Sequence, residues 1–484
     1  MSKTLANRAV VIGGSIAGLA AARVLSDHCR EVVVLERDTI GDAFAVRPSA
    51  PQASHAHGLL VAGERVLSRL FPGFTDDLRA GGACVGRVGR DLVSYMANGR
   101  SYNGAFFQPE PRDLGVDIYC QSRMLLEGTL RRRLERVPGV EVRTGAGVVG
   151  LEIDGTRIAA VRVDDGSGAS TTLAADLVLD SSGRGSRAPR WLRDLGFAAP
   201  EETVIGCDFA YASCLFQGDD SLDVVGVVVP GRPPVVKRGA LLFCIENGRW
   251  LVSIGGRFDE KPPRDLEGFM RFTGELPNPF LHQLLEGRQP LVPVSYFEFP
   301  TSRIRHYERI EVPDGLLVAG DALCCFNPIY GQGMSAALLE IDALARLLDR
   351  RRGGVSAPAG AAPLAGLSAE YFARAAEVIA TPWRLAASAD FQYPETTGER
   401  PENSQERGLY LLALNEIAIE DVEVNRTLAE VFQLVRPMSD LDAEPLRSRG
   451  RARMKVIAER MEKARAERGV APAGGSGASG SATG

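Results

Sequence analysis

The sequence predicts an α/β fold with an inserted, mostly antiparallel sheet and a helical C-terminal region. Three observations carry this expectation. Residues 10–36 read VVIGGSIAGLAAARVLSDHCREVVVLE: an apolar run, a Gly-rich turn, an Ala/Leu-rich helical segment, then a second apolar run closed by an acid. From about 190 to 310, alternation typical of strands dominates. From Ser368 to about Glu467, apolar positions such as Leu409, Leu412, Ile417, Val431 and Leu434 read as helical.

The first stretch has the strand–turn–helix–strand order of a dinucleotide-binding βαβ unit, over about residues 7 to 37. In its turn, Gly13, Gly14, Ser15, Ile16, Ala17 and Gly18, each part has a physical task. Gly13 allows the tight turn and Gly18 lets the helix pack close to the strand. The backbone N–H groups that open the helix face a pyrophosphate. Glu36, with Arg37 beside it, sits where a carboxylate accepts hydrogen bonds from ribose hydroxyls. Ser15 stands where the strict fingerprint has its middle glycine.

Composition narrows the class. The 484 residues, 45% hydrophobic, are enough for a large core and two or three structural units. A net charge of −5 does not point to nucleic acid. There is no apolar run of about 18 residues, hence no expected membrane span. The start, MSKTLANRAVVIGG, enters the first strand directly and leaves no room for a signal peptide, so a cytoplasmic location is expected. Eight cysteines lack CxxC spacing and read as reduced, mostly buried thiols, the adjacent Cys324 and Cys325 as packing residues. Five histidines lack metal-ligand spacing, and no metal is expected.

Further along the chain, the loop RPSAPQASHAHGLL leads into a helix from Leu59 to Leu70. Residues 90–103 read as a hairpin turning at Asn98-Gly99. Ser122 to Glu135 reads as a helix whose Arg131, Arg132 and Arg133 form a solvated face. A hairpin over Val148–Ile153 and Arg157–Val163 turns at Asp154-Gly155. Leu173–Leu179 reads as one strand that ends in DSSGRGSR. LLFCIENGRWLVSIGG is a hairpin turning at Asn247-Gly248. DGLLVAGDA is a strand, GQGMSAALLEIDALARLL a helix, 351–367 a loop, and GGSGASGSATG a flexible tail. The expected division is 1–190 and 311–350 for the nucleotide frame, with small inserted hairpins in its first part, 191–310 for the inserted sheet, 368–467 for the helical region and 471–484 for the tail.

Two further stretches add chemistry. In LLVAGDALCCFNPIYGQGMSAALLE, a strand delivers Asp321 at its end, where it can bond a ribityl or ribose hydroxyl. A loop through Pro328, Gly331, Gln332 and Gly333 then opens a helix near Met334. Gly331 and Gly333 let backbone approach a flat ring, and the helix start offers N–H groups and partial positive charge. That suits a ring which becomes anionic on reduction. The other stretch is DSSGRGSR, a strand end followed by a small-residue turn with basic side chains.

In this order and spacing, the three stretches resemble the FAD-dependent monooxygenases of the para-hydroxybenzoate hydroxylase fold, over nearly the whole chain before the tail. The resemblance implies a Rossmann-like FAD-binding domain of the glutathione reductase type, with the inserted sheet binding substrate. It further implies that Arg123 reaches the FAD, that Val148 contacts the adenine through its backbone, and that Arg47 lies near flavin or substrate. Surface exposure is the alternative for Arg47. Asp180 is followed by Ser181 where the family has Gly, which puts nicotinamide binding through that motif in doubt. PQASHAHGLL, FNPIYGQGMS and TPWRLAASADFQYP resemble the subgroup of the monensin and lasalocid polyether epoxidases, in which Ser also replaces the middle Gly.

The resemblance implies that reduced FAD and O2 give a C4a-hydroperoxyflavin, which passes one oxygen to a hydrophobic polyketide, terpenoid or aromatic natural product. Alkene epoxidation is expected ahead of phenol-type hydroxylation. An alkene needs mainly a dry pocket that aligns the bond. A phenol would benefit from a base, and no protein acid or base is identified by motif. Phe209, Tyr211, Phe243, Tyr296 and Phe299 are candidates for the pocket, with sheet core as their alternative. His55 and His57 either cap or lock their loop or stand beside the flavin, and His57 and Arg47 are further candidates for the substrate pocket. No second GxGxxG follows a strand, so NAD(P)H binds transiently beside the FAD or a partner flavin reductase supplies electrons. Competing readings are a flavin-dependent isoprenoid double-bond reductase, a non-enzymatic FAD-binding protein, and a halogenase. The last is disfavoured because Trp250 lacks the partners of a Trp-x-Trp-x-Ile-Pro signature.

Overall fold

Continuous apolar runs build the first sheet. In the computed structural model, which describes residues 4–41, 46–102, 108, 110–164, 166, 170–354 and 362–467 (side chains to 463), five parallel strands line up. Their order is Leu316–Val318, Leu177–Asp180, Ala6–Ile12, Cys29–Glu36 and Val140–Thr144. Val10, Val11, Val32 to Val34, Leu177 to Leu179 and Leu316 to Val318 are fully buried, as strands covered on both faces must be. The helices Ile16–Ser26 and Gly333–Arg352 pack together within the same core. The strands Gly147–Asp154, Arg157–Asp164 and Ser170–Ala174 form a separate antiparallel sheet that adds Leu151, Ile158 and Val161 to that core.

The 173–179 run is two strands, not one. Ser170–Ala174 joins the three-stranded sheet and Leu177–Asp180 the parallel one. The break is polar: the Asp176 carboxylate accepts the backbone N–H groups of Asn7 and Arg8 at 2.8 and 2.9 Å. Apolar content alone could not show where one strand passed to another sheet.

The second large sheet has eight strands. Their order is Cys324–Cys325, Ser295–Arg305, Glu202–Gln217, Arg249–Arg257, Arg238–Ile245, Gly226–Val229, Leu92–Met96 and Gly99–Ser101. It is antiparallel apart from the pair Gly226–Val229 with Leu92–Met96. The 92–101 hairpin is therefore an edge of this sheet. Met96 pairs with Gly99, so its loop residues are Ala97 and Asn98, one position earlier than the Asn-Gly signal suggests. At the other hairpin, Asn247 and Gly248 both take left-handed φ (64° and 62°), as the sequence predicts. At the opposite edge, Cys324 and Cys325 pair with Ile304 and Arg303, which ties the sheet to the stretch after Asp321.

The C-terminal helices are Leu367–Asp390, Ser404–Glu420, Val422–Phe432 and Leu446–Glu467. Leu414, Leu428, Val431 and Leu441 form their own cluster with Ala62 of the helix Val61–Leu70. The tail 471–484 and residues 355–361 of the 351–367 loop lie outside the described residues. Among the described residues no helix is long and apolar enough to cross a membrane.

Candidate flavin site

The βα turn is packed to its limit. Gly13 has φ +99°, and a Cβ there would stand 2.7 Å from the Ser181 carbonyl oxygen. A Cβ on Gly18 would stand 1.9 Å from the Gly13 carbonyl oxygen. Ser181 supports the turn: its hydroxyl donates to the carbonyls of Ile12 (2.9 Å) and Gly13 (3.2 Å). Asp180, fully buried, holds its own loop through Ser182 N (2.8 Å) and Ser186 Oγ (2.6 Å). The helix that starts at Ile16 carries no acid of its own in its first turn, which keeps the positive end of its dipole uncompensated from within the helix.

Around this turn stands a charge cluster that the sequence only half disclosed. Glu36 Oε2 accepts Gly14 N (2.9 Å) and Arg47 (2.7 Å), while Oε1 accepts Asp38 N (3.0 Å). The second fork of Arg47 reaches Glu127 Oε1 at 2.7 Å. Glu127 also meets Arg123 (3.3 Å), Arg131 (3.0 Å) and Ser15 Oγ (3.2 Å). Arg123 donates to Ser15 Oγ at 2.8 Å, and Arg131 to the Gly14 carbonyl at 3.1 Å. Burial pushes the Glu127 carboxyl up, but Arg123, Arg47 and Arg131 outweigh it and hold the pKa below the ordinary carboxylate range.

Arg131 is thus not part of a solvated face, and Arg47 is buried rather than exposed. The helix Arg123–Leu134 stacks residues 123, 127 and 131 on one side at i, i+4, and that side meets the turn. Sequence reading missed Glu127; the Arg-x3-Glu-x3-Arg spacing was its signal. Arg47 lies in this cluster, bonded to Glu36. Arg37 is exposed. Val148 begins its strand half-buried, and Ala146 N–H donates to the Glu36 carbonyl at 2.9 Å, so both stand at the same strand ends.

Asp321 lies in a 3₁₀ turn, Gly320–Ala322, directly after the strand Leu316–Val318. Its side chain is solvent-accessible yet deeply set, the signature of a group that lines a cleft. Burial raises its pKa, and Arg123, Arg184 and Arg303 pull it back. Gly320 N–H, next to it, donates to Glu340 Oε2 at 2.7 Å. Pro328–Tyr330 forms a second 3₁₀ turn, Gly331 is left-handed, Gln332 stands at the residue before the helix Gly333–Arg352 without a side-chain capping bond, and Met334 is half-buried. The space beside the glycines is open: a Cβ on Gly331 would meet only Gly58 O, and one on Gly333 only Asp321 Oδ1, each at 3.9 Å. The 55–60 loop is fastened over this helix start by Leu60 N–H to Ser335 Oγ (3.0 Å).

His55 locks that loop to the inserted sheet. Its Nδ1 is 2.7 Å from Ser213 Oγ, its ring is edge-on to Tyr211 at 4.3 Å, and Ala56 N–H donates to Ser253 Oγ at 3.1 Å. His57 Nδ1 is 2.9 Å from the His55 carbonyl. A carbonyl only accepts, so Nδ1 carries the proton and Nε2 the lone pair. Burial lowers the His55 pKa to about 3, and burial with Arg123 lowers that of His57 to about 4. Both are neutral when folded, whereas an unfolded histidine titrates near 6.5. The folded state binds fewer protons between those values, so stability falls as pH drops below about 6.5. Denaturant midpoints at pH 7 and 5 are expected to show a loss of about 2 kcal/mol from His55 alone, which His55→Gln should remove.

The aromatic candidates divide by strand parity. Phe209 pairs with Phe299 and Tyr211 with Phe297, on one face; these four and Cys325 form one cluster. Tyr211 is close enough to Asp321 for that carboxylate to raise its pKa after burial has done so. The Arg184 guanidinium lies 4.4 Å from the Phe299 ring centre. Tyr296 pairs with Ala212 and falls on the other face, where Arg264 covers its ring. Phe243 packs with Ile118, Cys120 and Leu251 in a separate cluster. Counting from Phe299 at period two would have selected Phe297 over Tyr296.

Comparison with known proteins decides the family. The model of FAD dependent oxidoreductases matches residues 9–190. Protein Rv3254 of Mycobacterium tuberculosis is 34% identical over 401 residues, covering 81% of this chain and 82% of its own. The chain belongs to the FAD-dependent oxidoreductases. Solved structures share its fold: the flavin-dependent brominase Bmp2 (TM-score 0.65, 13% identity, 95% of this chain and 100% of that one) and p-nitrophenol 4-monooxygenase PnpA from Pseudomonas putida (0.62, 19%, 90% and 99%).

The geometry of this oxidoreductase fits the cofactor. Three arginines face Glu36, Glu127 and, 4.0 Å from Arg47, Asp38, so the cluster's own charges balance and the N–H groups that open the helix Ile16–Ser26 are left to meet a pyrophosphate. The glycine cradle that side chains would fill and the open space beside Gly331 and Gly333 supply room at the two ends.

Proposed function

We propose that the enzyme is a monooxygenase that places one oxygen atom of O2 into a hydrophobic natural-product intermediate, by epoxidation of an alkene in a polyketide or terpenoid. FAD, when bound, supplies the oxygen activation. Gly13 to Gly18 hold its pyrophosphate, Glu36 its ribose and the Val148 backbone its adenine; Asp321 holds the ribityl chain, and Pro328 to Met334 carry the ring. The FAD-binding part comprises 1–190 and 311–350. The sheet of 191–310, with the 92–101 hairpin at its edge, holds substrate in the cytoplasm.

The observation that carries this reading is the wall of Phe209, Tyr211, Phe297 and Phe299 beside Asp321. Beside it His55 is bonded to Ser213 and Ser213 to Ser253 at 2.6 Å, while the Arg184 and Arg257 guanidinium groups lie against its Phe299 and Phe209 rings. Such a wall excludes water and aligns an apolar bond without a charged base. Aromatic hydroxylation is the second reading, favoured by the shared fold with an enzyme named for p-nitrophenol and by the lone pair on His57 Nε2. Electrons come from NAD(P)H bound transiently or from a partner flavin reductase.

Purified protein is expected to be yellow and to release FAD on denaturation; a protein that stays colourless with added FAD contradicts the reading. Products from polyenes and phenols are expected to gain one oxygen by mass, and reduction of the alkene without O2 would instead mark a reductase. Asp321→Ala is expected to weaken FAD binding about tenfold, the worth of one hydrogen bond to a charged group. Equal dissociation constants by fluorescence titration would remove Asp321 from the site.

A further inference from the structure

A buried ion pair joins three distant segments. Arg257 ends the strand Arg249–Arg257, Asp390 ends the helix Leu367–Asp390, and both are almost wholly buried. Asp390 Oδ1 accepts Arg257 (2.6 Å), Tyr330 Oη (2.7 Å) and Asn327 Nδ2 (3.0 Å). Arg257 also donates to Tyr330 Oη at 3.0 Å. The guanidinium lies between the rings of Phe209 (5.6 Å) and Tyr393 (4.8 Å). Asn327 and Tyr330 flank Pro328 in the very loop assigned to the flavin ring, and Phe209 belongs to the wall assigned to substrate.

We infer that Arg257 and Asp390 are positioning residues: through Tyr330 and Asn327 they hold the flavin-ring loop at a set distance from the substrate wall. The inference rests on the flavin reading above. Its physical ground is that a pair taken out of water is costly unless hydrogen bonds offset its desolvation, and here the partners that Asp390 Oδ1 finds besides Arg257 come from the loop. Apart from the packing of Phe326 and Tyr330 against the main core, these bonds are the loop's chief side-chain anchors. Ile329 is 49% exposed, and the one other side-chain bond within the turn is Asn327 Oδ1 to Ile329 N at 3.3 Å. The arrangement also gives the 381–394 stretch a task, since its Asp390 and Tyr393 both touch Arg257. Asp390 Oδ2 is buried without a partner, so the carboxylate is committed to the loop through one oxygen alone.

Two variants test this in the full-length protein. Tyr330→Phe removes one hydroxyl without changing shape. The double variant Arg257→Met/Asp390→Leu removes both charges together, which keeps the interior paired in polarity. In each, amide hydrogen exchange at 329–331 is expected to quicken about tenfold or more in the flavin-free protein. With FAD, the visible absorption bands are expected to shift and kcat to fall while the denaturation midpoint stays close to wild type. Restoration of the wild-type spectrum by Arg257→Lys, which keeps the charge, would support positioning by the pair. Unchanged exchange and an unchanged spectrum in Tyr330→Phe, with the wild type binding FAD normally, would overturn the inference and leave the flavin reading intact. A wild type that takes up no FAD would overturn both.

Discussion

Glu127→Ala is expected to cost about 3–5 kcal/mol of stability, the range for removing one partner of a buried ion pair. Among the described residues, Glu127 is the one carboxylate that pairs with Arg47, Arg123 and Arg131 together. Its loss leaves Arg47 with Glu36 at 2.7 Å and Asp38 at 4.0 Å, and removes the one ion-pair partner of Arg123 and Arg131 among the described residues. Arg123 and Arg131 then stay buried with an unbalanced charge, and Ser15 and Gly14, which they bond, lose their anchors. FAD uptake should fall with stability, because the same side chains shape the pyrophosphate turn. Glu127→Gln keeps the acceptor oxygen and should lose less. Urea midpoints and bound-flavin absorbance measure both effects; a midpoint within error of wild type in Glu127→Ala would refute the role assigned to the cluster.

Gly18→Ala carries the second large expected effect. The added methyl would lie 1.9 Å from the Gly13 carbonyl oxygen and 2.7 Å from Ser181 Oγ. The carbonyl belongs to the backbone of the turn and cannot rotate away as a side chain would. Either the helix lifts from the strand or the turn opens, and overpacking of this kind costs about 1–3 kcal/mol or more. The turn's N–H groups would leave their common focus. FAD content of the purified variant, read from the flavin absorbance relative to the protein, should drop at least about tenfold, with a smaller loss in denaturant midpoint. Full flavin loading would show that the turn does not carry the pyrophosphate.

Local and tertiary information separate clearly in this chain. The strand–turn–helix–strand of residues 6–36, the hairpin at Asn247-Gly248, and the strand and helix around Asp321 were legible, because periodicity and turn chemistry act over a few residues. The helix 123–134 was legible too, but not which side of it faced the turn, and so Arg131 was misread and Glu127 missed. Tyr296 and Phe299 looked equivalent as aromatic residues of one strand; their odd separation puts them on opposite faces, and only the pairing with Tyr211 and Ala212 shows which face meets the cleft.

By itself, then, the sequence determined the α/β frame, the inserted sheet, the helical C-terminal region and the two glycine-bearing stretches proposed to hold the cofactor. Those depend on backbone freedom, apolar spacing and capping, all local properties. Only the tertiary structure decided that Arg47 is buried against Glu36 and Glu127, that His55 fastens its loop to Ser213, and that Arg257 and Asp390 meet under Tyr330. Each of those contacts joins segments brought together by folding. Their energy comes from desolvated charge and hydrogen bonding at a distance of a few ångströms, which no spacing along the chain records.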